Sequence, residues 1–147
     1  MASALVATLL AGSTLLAACG GASRYASPLA AAKALVHHGF ACTNLVSLPT
    51  NLLAGDVAQA GKCQILKAPG RTSADLNVTG GIDVTFYVLK PNANPSAMAD
   101  QLFHQDQAEA AYGSNWVAEG SAQVFLGLAK ALGGSYPPDE QAVMAPT

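Results

Sequence analysis

The stretch "LNVTGGIDVTFYVL", residues 76–89, restricts the fold of this chain more than any other. Two β-rich runs meet at Gly80-Gly81, a pair that supplies the positive φ angles a two-residue hairpin turn needs. In the second run Ile82, Val84, Phe86 and Val88 alternate with Asp83, Thr85, Tyr87 and Leu89. A period of two predicts a strand with one buried face, central in its sheet. Shorter strand signals surround it: "NLVSL" and "KCQIL", parted by the turn-rich "PTNLLAGDVAQAG", and later "SNWVAEG".

Helical signals fall between and around these strands. Ser27 reads as an N-cap with Pro28 at the first helical position, ahead of "PLAAAKALVHH". Leu29, Ala32, Leu35 and Val36 form the expected apolar stripe, and Gly39 the stop. Asn94 and Pro95 open a second helix that faces Met98, Leu102 and Phe103 inward and fades before Gly113. Its outer side carries Asp100, Asp106 and Glu109. Ser121 caps a last helix, "AQVFLGLAKAL", with Val124, Phe125, Leu128 and Leu132 as its stripe and Gly133-Gly134 as its end. The sum is an α+β domain over residues 28–135. It is an antiparallel sheet of four to five strands with about three helices mainly on one face, in the order α-β-β-β-α-β-α. A mixed sheet, with the second helix crossing between parallel strands, is the alternative. Residues 136–147 read as a loose tail.

Composition narrows the partners. Of 147 residues, 51% are apolar and 11% charged, which is too apolar for a disordered chain. The net charge of −2 argues against nucleic acid, because phosphate binding needs clustered cations. Arg24, Lys33, Lys62, Lys67, Arg71, Lys90 and Lys130 are scattered, so no polybasic membrane patch is visible.

Residues 1–18 carry no charged side chain, and their apolar run has the length of a signal-peptide core. The run ends on Leu16-Ala17-Ala18-Cys19 and gives way at once to "GGAS". This tetrad resembles the lipobox of bacterial prolipoproteins, in which a branched apolar residue and two small ones precede a cysteine. The resemblance implies cleavage after residue 18, a diacylglycerol thioether on Cys19, and a protein held at the outer side of the cytoplasmic membrane. Two or three acyl chains anchor stably where one binds only marginally. The segment before the apolar core lacks Lys or Arg, unlike the usual signal; an uncleaved helix with an incidental cysteine is the plainer alternative. Residues 19–27 then form a flexible tether. Giving Cys19 to lipid leaves Cys42 and Cys63 as a natural pair, which outside the cytoplasm would oxidise. A catalytic or metal-binding use of the pair is the alternative, without a CxxC spacing to support it. The mature stretches "CQIL", "IDVTFYVL", "SNWVAEG" and "KALGG" look like those of small actinobacterial lipoproteins, a resemblance that brings no functional residues with it.

Candidate chemistry is sparse. His37 and His38 are neighbours on a helix, about 100° apart, which suits a solvated helix end better than a shared metal, and His104 offers no ligand spacing. "TGGIDV" puts its glycines before a strand, whereas a nucleotide cradle needs them between strand and helix. "GAS" and "GRTS" lack the flanking pattern of a serine nucleophile. Asp83, Thr85 and Tyr87 share the outer face of the central strand, either as a polar contact surface or as the wet side of the sheet. Trp116 marks a ligand edge or, beside Gly113 and Gly120, a core position. The expectation is a non-catalytic envelope lipoprotein without cofactor or metal, whose domain contacts another envelope protein. A binding module for a small or lipid-like ligand is the alternative, and a hydrolase a weaker third.

Overall fold

Ser27 opens the first helix, α1 (Pro28–His37), as its side chain implies: its hydroxyl accepts from the Ala30 amide at 3.2 Å, and Pro28 sits where no amide is required. Gly39 turns the chain out of the helix at φ +86°. There follow β1 (Cys42–Leu48), β2 (Val57–Ile65), β3 (Ile82–Leu89), α2 (Pro95–Asp106), β4 (Glu109–Tyr112), β5 (Trp116–Gly120) and α3 (Leu128–Leu132). The computed structural model describes residues 23–51, 53, 55–71, 81–106, 108–121 and 127–138. The expected signal segment, Cys19, the strand candidate at 76–79, Val124, Phe125 and residues 139–147 lie outside the described residues. Among the described residues no helix is long and apolar enough to cross a membrane.

The strands form one sheet in the order β1-β2-β3-β5-β4, and every ladder is antiparallel. The central place of β3 and the α+β order are those the sequence predicts, with β4 added between α2 and β5. The expected second helix therefore ends earlier than its alanine content suggests. Glu109 leaves the helix surface for β4, where Ala110 and Ala111 are fully buried and pair with β5. Tertiary pairing outweighs the helical preference of an alanine-rich run. β2 is also longer than "KCQIL", beginning at Val57 inside the stretch that reads as turn.

Helices cover both faces. α1 and α3 pack on the face made by Cys63, Ile65, Val84, Phe86 and Trp116, whereas α2 packs on the face of Ala60, Tyr87, Leu89 and Val117. A bulge in β2 between Val57 and Gln59 turns Val57 toward the α2 face. Two expected stripes are rotated. α1 buries Pro28, Ala31, Ala32 and Leu35, leaving Leu29 and Val36 about half exposed at 51% and 54%. Its small residues let it lie close to β2, where a Cβ on Gly61 would stand 2.8 Å from Pro28. α2, capped by the Asn94 side chain on the Ala97 amide at 3.1 Å, seats itself through Ala99, while Met98, Leu102 and Phe103 are half-buried.

Cys42 and Cys63 form a disulfide with Cα atoms 5.6 Å apart. It staples the edge strand β1 to β2, closing a loop that stabilises the fold by about 3 kcal/mol. The described parts of two segments read as loose, residues 23–27 and 136–138, are fastened to the domain. From Ser23 the tether is hydrogen-bonded to the β4–β5 turn and to Gly133. Tyr136, at the start of the tail, accepts from the Ala129 amide on its hydroxyl at 3.3 Å.

Candidate functional site

The face of β3 that carries Asp83, Thr85 and Tyr87 is not uniformly wet. Asp83 is exposed and pairs with Lys62 at 3.1 Å, Thr85 is half-buried, and Tyr87 is buried at 7% exposure against the α2 side of the sheet. The row divides at Thr85, whose partner across the ladder is Glu119 of β5.

Between α2 and this face runs a cleft of about 400 Å³. Leu53 from the β1–β2 turn and Met98 and Leu102 from α2 form its apolar wall, and Tyr87, Asp106 and Glu119 its polar end, with Gln101 between them. Ala99 is the side chain of α2 that is fully buried against the sheet, while Met98 and Leu102 pack there only in part and line the cleft beside it.

At the polar end the Tyr87 hydroxyl donates a short hydrogen bond to Glu119 Oε1. Burial, first, and then that hydrogen bond and the charges of Glu119 and Asp106 push the Tyr87 phenol well above its ordinary range. The phenol is therefore a fixed donor at any physiological pH. The cleft's two carboxylates come from different elements, the last turn of α2 and β5, and no lysine or arginine is among its lining residues. Chemically this is an apolar trough ending in negative charge. It suits a molecule with a hydrocarbon body and a cationic or donor-rich head.

The other singled-out residues lie elsewhere. His37 and His38 are exposed at the end of α1, with ring centroids 5.5 Å apart, and His104 faces Asp100 at 3.5 Å on α2. Among the described residues no three of His, Cys, Asp and Glu come together as a metal site. Cys42 and Cys63 are joined and so hold no free thiol. Trp116 is 1% exposed, on the α1/α3 face and away from the cleft. The sequence points to Tyr87 but not to Glu119, 32 residues away, nor to Asp106, which reads as solvated helix surface. The one local signal is at Glu119, a carboxylate that follows the apolar run Trp116-Val117-Ala118; Asp106 sits among His104, Gln105 and Gln107 and carries none.

No protein-family model matches this chain, and neither the curated proteins nor the solved structures contain a significant match.

Proposed function

We propose that this chain is an exported lipoprotein, anchored through Cys19 at the outer side of the cytoplasmic membrane. Its domain binds a small amphiphile with a cationic head in the α2 cleft and performs no chemistry on it. The observation that carries the binding reading is the junction of the Leu53, Met98 and Leu102 wall with the Tyr87, Glu119 and Asp106 end. A volume of about 400 Å³ lies within the usual range of small-ligand sites. The anchor reading is supported by the Leu16-Ala17-Ala18-Cys19 tetrad, and the formed disulfide suits an oxidising compartment. The Tyr87 hydroxyl, committed as donor to Glu119 and raised by burial, suits a fixed hydrogen-bonding role at the polar end.

The test uses octylammonium and octanoate as probes, titrated into the protein and followed by backbone amide NMR shifts. Octylammonium is expected to shift Tyr87, Met98 and Leu102 and to bind about tenfold more tightly than octanoate. Replacing Glu119 with Gln and Asp106 with Asn should erase that preference. Equal binding of the two probes, or shifts confined to other surfaces, removes the reading. The mass of protein extracted from membranes tests the anchor separately: it should lack residues 1–18 and carry acyl chains.

Contact with another envelope protein is a second reading, favoured by β1, which is an edge strand of the sheet among the described residues. There Leu29 and Val46, 51% and 48% exposed, flank a groove of about 240 Å³. A bulge in β1 between Thr43 and Val46, with Asn44 at φ +54°, interrupts that edge and limits how long an added strand could be. A photo-crosslinker at Val46 that captures no reproducible protein in native membranes would count against this reading.

A further inference from the structure

The chain enters the domain at a fixed point. The Ser23 carbonyl accepts from Trp116 Nε1 and Ser114 Oγ, both at 3.0 Å, and from the Ser114 amide at 3.3 Å, while the Ser23 amide donates to the Gly133 carbonyl at 2.9 Å. Two residues on, Tyr25 and Asn115 bond reciprocally: the Tyr25 amide donates to Asn115 Oδ1 at 2.9 Å, and Asn115 Nδ2 donates to the Tyr25 carbonyl at 2.8 Å. The Tyr25 hydroxyl reaches the Leu132 carbonyl at 3.1 Å, and its ring lies against Trp116 with centroids 5.9 Å apart. A segment held by this many bonds, one of them from a fully buried tryptophan, does not pivot freely.

The fastening is at one end of the sheet. β5 begins at Trp116, opposite Val88 near the end of β3, and Leu89 lies opposite Val57 at the start of β2. The turns at 49–56, 90–94 and 113–115 therefore share an end with Ser23. The end of β2, the α1–β1 turn and the disulfide lie toward the other.

On the lipoprotein reading proposed above, only Gly20, Gly21 and Ala22 separate the acylated Cys19 from Ser23. Four residue steps reach at most about 14 Å even fully extended, at roughly 3.5 Å each. The nine residues of β2 span about 30 Å at roughly 3.3 Å each. The tether is thus shorter than the domain is long, and the far end cannot be the one that meets the bilayer.

We propose that the domain stands on the membrane on its Ser23 end, with the 49–56, 90–94 and 113–115 turns against the phospholipid headgroups. Arg24 and Lys90 are exposed at this end beside Asp56, the one acid among the described residues of these turns, and each cation near an anionic bilayer favours this stance. Leu53, the cleft wall nearest the bilayer, belongs to one of these turns, so the cleft's apolar end lies toward the lipid and its Asp106–Glu119 end away from it.

The experiment uses acylated full-length protein in phosphatidylglycerol-containing vesicles doped with a nickel-chelating lipid. A nitroxide is placed on Asn51→Cys, in the near turns, or on Lys67→Cys, beyond β2; both positions are exposed and outside the Ser23 bonds. Relaxation by the surface nickel should be several-fold stronger at position 51 than at 67. Twelve Gly/Ser residues inserted between Ala22 and Ser23 should bring the two labels close to equal. Equal or reversed relaxation in protein that floats with the vesicles overturns the orientation while leaving the anchor intact, as does a gradient unchanged by the insertion. Protein that does not float and has an unacylated mass overturns the anchor, and the orientation with it.

Discussion

On the α1/α3 face the sheet meets Trp116, Phe86, Leu35, Leu128 and Leu132, none more than 1% exposed; on the α2 face the contact is made by Ala99, Ala110 and Val117, with Met98 and Leu102 only half-buried. The first face is filled by large side chains. On the second the sheet also buries Tyr87 and Leu89, but the one side chain that α2 buries fully is the small Ala99, with space beside it. The same sheet is thus a dense core on one side and the floor of a cleft on the other. Stability and binding should therefore separate by face, and mutations can measure how cleanly they do.

The largest effect belongs to the dense face. Trp116→Ala should cost about 3–5 kcal/mol in urea denaturation, because it opens a cavity in a close-packed core and removes the indole donor to Ser23. The packing is tight enough that a Cβ on Gly134 would fall 2.7 Å from the indole ring. Met98→Ala on the other face should cost less than about 1 kcal/mol, since its side chain is only part-buried, yet it should weaken octylammonium binding several-fold. Comparable losses from the two substitutions would erase the distinction.

Next in size is the disulfide. Replacing both Cys42 and Cys63 with alanine should lower stability by about 3 kcal/mol, the entropy of freeing a loop of this length in the unfolded chain. Because the bond lies on the α1/α3 side, octylammonium affinity at temperatures well below unfolding should stay within twofold. A large loss of affinity in the folded variant would show that the faces are coupled through β2.

The elements that build these faces are in large part local and so legible in the sequence. Ser27 with Pro28 and Asn94 with Pro95 announce two helices through capping chemistry that needs only the next few residues. The alternation from Ile82 to Leu89 announces the central strand, since no helix presents a period of two. What stays hidden depends on partners distant in the chain. "EAAY" becomes β4 only because β5 pairs with it, and nothing in four residues of that kind excludes a helix. The cleft is hidden for the same reason. Tyr87 meets Glu119 through the β3–β5 ladder, and Asp106 joins them only because α2 ends there, seated by Ala99 rather than by the larger Met98 and Leu102.

A smaller effect, and a pH signature, come from Tyr87. Tyr87→Phe should cost about 1 kcal/mol at neutral pH by leaving Glu119 without its donor. The fold raises the phenol's affinity for its proton. That contribution is whole below the unfolded phenol's value near pH 10 and is lost as pH rises above it, where the unfolded chain releases the proton first. Wild-type stability should therefore fall between about pH 9 and pH 12, and more gently in Tyr87→Phe. A residual slope is expected from Tyr25, whose phenol burial also raises, against the opposing Ser23 hydrogen bond. Identical alkaline profiles for the two proteins would mean that Tyr87 is not held as a neutral donor.

The smallest effect sharpens the boundary of the cleft itself. Asp83 shares a strand face with Tyr87 and carries the same formal charge as Glu119, so charge alone does not distinguish the two acids. Their surroundings do. Asp83 and Lys62 are paired at 3.1 Å with side chains 52% and 41% exposed, in water that screens them and competes for both. An exposed pair of this kind contributes about 0–1 kcal/mol. Asp83→Ala should thus move the urea midpoint by an amount near the error of measurement, and octylammonium affinity not at all. Glu119→Gln should leave stability nearly as high but reduce the preference for octylammonium over octanoate, because its charge sits at the end of an apolar trough where water screens it less. If Asp83→Ala lowers that preference as much as Glu119→Gln does, the probe is reading the net charge of the sheet face. The α2 cleft would then be only part of a broad acidic surface that includes Asp83.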